Sequence, residues 1–509
     1  MILFQSLLIL LVCAVLLAAL ARRLNLPYPS FLALGGTALA FVPNAPSFSL
    51  DPHLTLALFV APALLDAAFD TSWRDLKRYW IPVMSLVFIA VGLTIAAVAW
   101  VVHYMMPDMS WAACVAIGAI VAPPDAVAAS AVMRRLNIPH RVQVIIEGES
   151  LLNDATALLT YRVAVAVTLG GTFSGSGTVL LSLAMIAGGL LGFALAHISI
   201  RVIERFCDVP SAIVLQFATT FGVWILAEAL QLSPIVTIVA YAITAARISP
   251  ERTPARVRIP SYAVWETVVF VLNVLAFVLI GLQLRPIFES LMPDERNHYL
   301  QIAGAVLGTT IFVRVAWVML YNRVAYWKFR LFGGGHWPGQ MVPSIAGSAV
   351  VGWAGMRGIV TLATAYALPL EFPHRDLALL CAFCVVVGTL VVQGMTLRPL
   401  ILALRLSNDG TVEREVRVAQ DVLALVALEI LEVDESDIAR ALRDEFITTE
   451  VTEADAPHST AREARNRLRA RILDAQRRAL VKLRDTSEIG DDAFHNLEEF
   501  LDRSEINVR

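Results

Sequence analysis

Ionisable side chains interrupt several long apolar stretches of this sequence. Five of them lie deep inside such stretches: Asp66, Asp125, Glu149, Asp154 and Arg357. A charge at the centre of a bilayer costs roughly 2.5–3.5 kcal/mol on insertion scales, and the residues that bear this cost usually belong to an ion or proton path. We therefore take these side chains as the first candidates for chemistry.

The densest group of polar residues is the segment 148–155, which reads G-E-S-L-L-N-D-A. Helical spacing places Ser150 and Asp154 on one row of a helix, and Glu149 and Asn153 fall on the adjacent row. Hard cations prefer carboxylate, hydroxyl and carbonyl oxygens as ligands. The row with Ser150 and Asp154 therefore predicts a site for a hard monovalent cation such as sodium.

Two helix-breaking segments contain further candidates. The run A-P-P-D-A at 122–126 places two prolines in mid-membrane, and glycines surround Arg357. Irregular backbone at this depth survives only where it is buried in protein or lines a cavity. Two interrupted helices in corresponding positions of two halves predict a transporter of inverted repeats, with its site where they cross. Asp125 can then orient Asn153, and Asp66 can add a second carboxylate.

Long apolar segments supply the helices that must position these side chains. Apolar residues make up 57% of the 509 residues and charged residues 16%, whereas soluble chains average roughly 45–50% and 25%. We predict an all-α membrane protein with about 13 transmembrane helices, and we exclude a disordered chain, a disulfide scaffold and a basic nucleic-acid-binding face. The segments are approximately 3–21, 28–43, 53–70, 80–104, 111–132, 142–168, 178–201, 211–229, 234–247, 261–283, 299–321, 343–369 and 375–402.

Basic residues in the connections predict the orientation in the membrane. Seventeen Lys and Arg residues lie at the connections after segments 1, 3, 5, 7, 9 and 11, and three lie at the other six. Lys and Arg remain on the cytoplasmic side. We therefore expect the N-terminus outside and the C-terminus in the cytoplasm. No basic residue precedes the first segment, so we expect a retained helix there and not a signal peptide.

We expect two regions, a transmembrane domain at 1–405 and a cytoplasmic helical tail at 406–509. From Asp409 onward the chain holds 15 basic and 24 acidic residues, and apolar residues recur at helical spacing over 412–446 and 459–486. The tail has no glycine-rich phosphate loop and no metal-ligand cluster, which favours a solvated regulatory or dimer-stabilising element over a catalytic domain. Cys381 and Cys384 lie in an apolar segment, where packing is a simpler interpretation than metal or redox chemistry.

The segment G-E-S-L-L-N-D at 148–154 closely resembles the signature of the monovalent cation:proton antiporter-1 family, which includes the NhaP-type bacterial sodium/proton antiporters. The segment P-A-L-L-D-A-A at 62–68 is similar to the family's P-P-I-I-L-D-A. Segments 122–128 and 352–363 resemble its T-D-P-V-A-V and G-L-R-G-A-V-S-L-A motifs. The resemblance keeps the motif order from residue 1 to about 405 and does not extend to the tail.

The resemblance implies an ion site built around one aspartate. Asp154 would be the principal carrier of the cation and the proton, and Asp125 would help to hold the site together. Ser150, Asp66 and the backbone carbonyl of Pro124 would complete the ligands of the monovalent cation. Pro124 stands where the family has threonine, so this position could contribute only its carbonyl.

The resemblance also implies structural roles for other buried polar residues. Asn153 would help to hold the ion site together, and Glu149 would form an ion pair with Arg357. A buried arginine needs a partner, since removing one member of a buried pair typically costs about 3–5 kcal/mol. We expect Glu266 and Arg314 to pair with each other or with the cluster around Arg357.

The function implied is a secondary transporter, not an enzyme, that exchanges sodium or lithium for protons. Asparagine rather than a second aspartate before Asp154 implies electroneutral one-for-one exchange. The resemblance further implies a homodimer in the cell (inner) membrane, with Na⁺ and H⁺ as transported ions and no other cofactor. Potassium in place of sodium is the alternative, and an ion channel is a third reading. An intramembrane aspartyl protease using Asp125 and Asp154 would need a G-x-G-D arrangement, which we do not find.

Overall fold

A computed structural model describes residues 2–42, 51–133, 136, 138–171, 175–205, 208–332, 344–406, 408–434, 436–448 and 459–508. Over these ranges every regular element is a helix. The first ten are α1 (Ile2–Arg23), α2 (Tyr28–Ala40), α3 (52–70), α4 (Trp73–Arg78), α5 (Trp80–Met105), α6 (Trp111–Val121), α7 (Ala126–Met133), α8 (His140–Thr168), α9 (Gly175–Ile203) and α10 (Val209–Ala229).

The remaining helices continue to the end of the described chain. They are α11 (Pro234–Arg252), α12 (Ala255–Leu282), α13 (Leu284–Ser290), α14 (Pro293–Phe332), α15 (Ile345–Trp353), α16 (Ile359–Tyr366), α17 (Arg375–Ala403), α18 (Thr411–Val433), α19 (Asp437–Thr448), α20 (Ser459–Asp485) and α21 (Asp491–Val508).

Each predicted apolar segment coincides with one helix or with one interrupted pair of helices in α1–α17. Seven of the described helical stretches are long and apolar enough to cross a bilayer by length and composition alone, and they involve α3, α5, α9, α10, α12, α14 and α17. The chain is therefore a multi-pass membrane protein. α14 is longer than its predicted segment because its charged ends continue the helix beyond the apolar stretch.

Both predicted helix interruptions are confirmed. α6 ends at Val121 and α7 begins at Ala126, so the residues between them, which include both prolines, are not helical. α15 ends at Trp353 and α16 begins at Ile359. Proline removes backbone donors, which explains the first break. At the second break a β-carbon at Gly355 or Gly358 would overlap the side chain of Arg314 or of Asp125, so glycine lets other residues pack against the interrupted backbone.

Three helices contain π-helical turns, at Leu56–Val60 in α3, Ser85–Ala90 in α5 and Leu390–Gly394 in α17. Such turns often occur at functional sites. The first lies six residues before Asp66. The third directly follows Thr389, which contacts one of the interrupted helices.

The helices pack closely where small residues meet. Gly36 of α2 faces Gly281 of α12, and a β-carbon at Gly36 would overlap the backbone carbonyl of Val278. Small residues at a membrane helix interface let two backbones approach each other. A larger side chain at this position would push α2 and α12 apart.

The tail is a bundle of four helices, α18–α21, with its own apolar core. Leu423 of α18 and Leu480 of α20 pack with Phe494 and Leu497 of α21. The apolar spacing predicted helical stretches at 412–446 and 459–486, and the first is divided into α18 and α19. It did not predict α21, because the apolar residues of α21 occupy a short run between acidic residues. The tail is also less solvated than predicted, since α21 packs against α12.

Candidate functional site

The two interrupted helices cross and are joined through their backbones. The Asp125 N–H donates a hydrogen bond to the carbonyl oxygen of Met356, with an N–O distance of 2.7 Å. The Asp125 side chain accepts from the Val127 N–H at 2.9 Å, which caps the start of α7. A β-carbon at Gly358 would overlap the Asp125 carboxylate. Glycine at 358 is therefore a condition for the crossing.

Arg357 satisfies the carbonyls that the first interruption leaves open. Its Nε donates to the carbonyl oxygen of Val121 at 3.0 Å, and its Nη2 donates to that of Ala122 at 2.9 Å. Its backbone N–H donates to Thr389 Oγ1 of α17 at 3.0 Å. A cation at a helix C-terminus also interacts favourably with the helix dipole. Arg357 thus fastens the end of α6 to the second interruption.

The prediction that Glu149 forms an ion pair with Arg357 is wrong, because Glu149 has a different partner. Glu149 pairs with Arg314, with Nη1–Oε1 and Nη2–Oε2 distances of 2.5 and 2.8 Å. Both side chains are fully buried. The planar guanidinium of Arg314 meets the carboxylate through two parallel hydrogen bonds, which is the strongest geometry for such a pair. Arg357 instead directs its guanidinium to backbone carbonyls.

Sequence reasoning placed Arg314 near this cluster but did not assign it to Glu149. Arg314 Nη2 also donates to the carbonyl oxygen of Val351 at 3.1 Å, so α14 is tied to α8 and α15. Glu266, the other residue of the expected pair, lies on α12 and lines a cavity. An arginine in the middle of an apolar helix indicated that a buried acidic partner exists. The spacing of residues along the sequence could not show which acidic residue that partner is.

Asn153 ties α8 to the first interruption. Its Nδ2 donates to the carbonyl oxygen of Pro124 at 2.9 Å. Asn153 is fully buried, and its Oδ1 has no hydrogen-bond partner within the described part of the chain. The carbonyl oxygen of Pro124, a predicted cation ligand, therefore already accepts one hydrogen bond. Its second lone pair remains available for a cation.

Asp154 is a buried carboxylate with an exposed fraction of 6%. Among the residues that the structure describes, no hydrogen-bond donor and no basic side chain contacts its carboxylate. Asp125 is close enough for its charge to act on Asp154. An isolated ionised carboxylate is very costly in an apolar environment, so such a group carries a proton or a cation.

The other two predicted ligands, Ser150 and Asp66, lie on α8 and on the neighbouring helix α3. Ser150 is half-buried on α8, one helical turn before Asp154, and Asp66 is half-buried on α3. Across the described ranges, no group of three or more Asp, Glu, His or Cys side chains could hold a metal ion together. The structure thus brings Asp125, Asn153 and Pro124 together and leaves Asp66 on the adjacent helix.

Two cavities lie near this region, one beside α3 and α12 and the other beside α8 and α10. The larger one, of about 530 Å³, faces the tail and is lined by Asp66 and Glu266. The smaller one, of about 230 Å³, is lined by Ala155 and Arg162 of α8 and by Glu228 of α10. Asp154 precedes Ala155 directly, so the buried carboxylate lies next to a residue that lines the smaller cavity.

Comparisons with known proteins identify a family for the membrane part of the chain. The family model described as the transmembrane sodium/hydrogen exchanger matches residues 7–403. A sodium, potassium, lithium and rubidium/H⁺ antiporter of Bacillus pumilus is 32% identical over 394 residues, which cover 73% of this chain and 57% of that relative. The Na⁺/H⁺ antiporter ApNhaP of Aphanothece halophytica is 28% identical over 402 residues, which cover 77% of this chain and 72% of the relative.

A solved structure shares the fold. The structure of the sodium proton antiporter MjNhaP1 from Methanocaldococcus jannaschii matches with a TM-score of 0.58 and 20% sequence identity. The match covers 79% of this chain and 99% of that one. The helical membrane part therefore has the architecture of that antiporter.

Replacing Arg314 tests the buried ion pair. We expect Arg314→Ala to lower the free energy of unfolding by about 3–5 kcal/mol, because Glu149 would stay buried without a partner. Thermal unfolding of the purified chain measures the loss. The matched control is Arg285→Ala, which removes an exposed pair with Glu289 and should cost about 0.5 kcal/mol or less.

The double variant Arg314→Gln with Glu149→Gln should recover part of this stability, since neither residue is then left charged. A double variant that is no more stable than Arg314→Ala would show that the two side chains are not coupled.

Replacing Gly358 tests the crossing. We expect Gly358→Ala to abolish ion exchange, because the new methyl group would displace the Asp125 carboxylate. Gly352→Ala is the matched control, since a β-carbon there lies 3.4 Å from its nearest neighbour, Val315. Ion flux in reconstituted vesicles measures both. Full activity in Gly358→Ala would contradict a tight crossing.

Proposed function

The chain belongs to the sodium/hydrogen exchanger family of secondary transporters, and from this premise we propose that it exchanges sodium, or lithium, for protons. Asp154 is the shared site. One observation carries the proposal, namely that Asp154 is buried and that, among the described residues, Asp125 and no basic side chain acts on its charge. A proton or a cation can neutralise this carboxylate, and the two compete for it. Coupling follows from this competition without a second site.

We propose that the cation is held by Asp154, Ser150, Asp66 and the carbonyl oxygen of Pro124. Ser150 supports this set because it lies one turn from Asp154 on the same helix, where both oxygens can face one ion. Asp66 supports it because α3 packs against α8. A modest approach of α3 to α8 would add its carboxylate. These oxygen ligands suit a hard monovalent cation.

Asn153 and Asp125 keep the backbone of the site in place. Asn153 bonds the carbonyl of Pro124, and Asp125 bonds the backbone at Met356. Asn153 Oδ1, which has no partner within the described ranges, can become an additional ligand of the ion when it arrives. Asp125 therefore acts in exchange by positioning the site around Asp154.

Transport proceeds by alternating access. Two cavities support this, because Asp66 lines the larger one and Ala155, next to Asp154, lines the smaller one, so each could become an open path to the site in turn. The interrupted helices, α8 and α17 are joined by hydrogen bonds through Arg357, Asn153 and Thr389, and the Arg314–Glu149 pair adds α14. This bundle can therefore move as a unit against the remaining helices.

The exchange is electroneutral, one cation for one proton, because Asn153 rather than a second acid precedes Asp154. Potassium is the alternative cation. The printed name of the Bacillus pumilus relative includes sodium, potassium, lithium and rubidium. The absence of a threonine side chain at Pro124 removes one potential ligand and leaves room for a larger ion.

We propose that the chain spans the cell (inner) membrane 13 times as a homodimer, with domains at 1–405 and 406–509. The N-terminus is outside, and the tail is in the cytoplasm. The distribution of basic loop residues supports this orientation. The transported ions are the only small molecules that the mechanism needs.

The test uses vesicles reconstituted with the chain and filled with a pH-sensitive dye, to which sodium, lithium or potassium is added in turn. Sodium and lithium should drive proton flux at the same rate with and without an imposed membrane potential. Asp154→Asn should abolish the flux, because an amide neither titrates nor balances a cation. The control Asp108→Asn alters an exposed loop aspartate and should keep the flux. Flux that persists in Asp154→Asn would remove Asp154 from its role, and flux with potassium alone would establish the alternative.

Competition at one carboxylate also predicts the pH profile. Raising the proton concentration on the tail side should raise the sodium concentration that gives half-maximal rate. The rate should also fall at very alkaline pH, because the site no longer reloads with protons for the return step. The profile is therefore bell-shaped, and its acid limb should move to lower pH as sodium rises. Rates measured over a pH series at two sodium concentrations check this. A half-saturating sodium concentration that does not change with pH would contradict competition at one carboxylate.

A further inference from the structure

The last helix of the tail forms one wall of the cavity that leads to Asp66. His495, Glu498 and Arg503 of α21 line this cavity together with Asp66 and Glu266. The ring of His495 stacks on that of Phe69, with centroids 6.2 Å apart and an angle of 9° between the planes. Phe69 follows Asp66 by one helical turn on α3. α21 therefore stands beside the path to the ion site.

A buried ion pair fastens α21 to the membrane part. Arg258 of α12 donates from Nε and Nη2 to the two carboxylate oxygens of Asp502, at 2.7 and 2.5 Å. Each side chain is 1% exposed. Glu498 lies 3.3 Å from Arg258, and Arg477 of α20 also donates to Asp502 at 2.8 Å. Charges that are desolvated this completely need a matched partner, so the docking of α21 is specific.

A histidine at the start of α8 forms the second attachment. His140 Nε2 lies 3.1 Å from the carboxylate of Asp75, and Nδ1 lies 3.3 Å from that of Asp492 on α21. A neutral imidazole has one N–H, whereas the protonated form donates from both nitrogens. The contact with both carboxylates therefore needs the protonated ring. When His140 loses its proton, one of the two contacts is lost.

We propose that α21 is a gate on the tail-side path to Asp66, held closed while His140 is protonated and released as the pH rises. The gate rests on the proposed function, because it controls entry to the proposed ion site. Release of α21 widens the cavity and admits ions to α3 and α8. The tail thus restrains exchange at acidic and neutral pH and permits it at alkaline pH.

The direction of the pH effect follows from the groups at the contact. Burial opposes the charge on His140, but the hydrogen bond with Asp75 and the charge of Asp492 outweigh it and raise the pKa of His140. The stabilisation of the docked state is therefore complete below the ordinary histidine pKa and is lost as the pH rises through the raised value.

Two acids of α21 act in the same direction. Burial raises the pKa of Asp492, and it raises the pKa of Glu498 to about 7. The docked state thus binds more protons than the released state, so docking weakens as the pH rises. His495 opposes this in acid, since burial lowers its pKa and its protonation disfavours docking. The other charged groups near His140 and Asp492 are Arg74, Asp75, Asp409, Glu415 and Asp491.

The experiment compares the full chain with Asp492→Asn and His140→Gln in reconstituted vesicles. Hydrogen exchange of the backbone amides at 491–508, corrected for the intrinsic rate, reports the docking of α21 at about pH 6 and about pH 9. Cation-driven proton flux is measured over the same range. The matched control is Asp421→Asn, which removes the same charge from an exposed position on α18.

In the wild type, hydrogen exchange of the amides at 491–508 should accelerate severalfold from acidic to alkaline pH, and cation-driven proton flux should rise with it. Asp492→Asn and His140→Gln should both show rapid hydrogen exchange of the α21 amides already at acidic pH, and severalfold higher ion flux there. Asp421→Asn should behave as the wild type. Protection of α21 that does not change with pH would overturn the gate alone, as would released variants whose flux is unchanged or lower. A wild type without flux in any cation, but with pH-dependent α21, would overturn the proposed function and the gate with it.

Discussion

The backbone of two interrupted helices has to be satisfied at membrane depth, and the rest of the structure depends on how this is achieved. Each unsatisfied backbone group in the bilayer core costs roughly several kcal/mol. Arg357 takes up the carbonyls at the end of α6, and Asp125 caps α7 and bonds Met356. Asn153 bonds Pro124 from α8. The polar groups that keep the breaks stable therefore also determine the surroundings of Asp154.

The two buried arginines Arg314 and Arg357 have different electrostatic roles. Arg314 neutralises Glu149 through a two-point contact and joins α14 to α8. Arg357 has no acid in direct contact among the described residues and acts through carbonyl dipoles. This division leaves Asp154 without a basic partner. A carboxylate that was already paired with arginine could not exchange a proton for a cation, so the separation of the pairs is a requirement of the proposed mechanism.

One helix links the ion site to the tail. His140 and Asp154 both lie on α8, and 14 residues of helix span about 21 Å. α21 contacts the start of this helix through Asp492 and the α3 side of the cavity through His495. A change at the tail contact thus acts on two helices that carry proposed ligands. α21 is therefore both a helix of the tail bundle and the proposed gate of the ion path.

The sequence by itself determined the helices of the membrane part, the two breaks and the buried polar residues, because apolar length, proline and glycine act locally. The resemblance at 148–154 also implied that Asn153 helps to hold the ion site together, but its bond to the carbonyl of Pro124 came from the structure. It could not choose between Arg314 and Arg357 as the partner of Glu149, because both lie far from residue 149 in sequence. It also could not foresee that α21 would reach the cavity at Asp66. Those pairings depend on which helices lie side by side, and only the tertiary structure decides that.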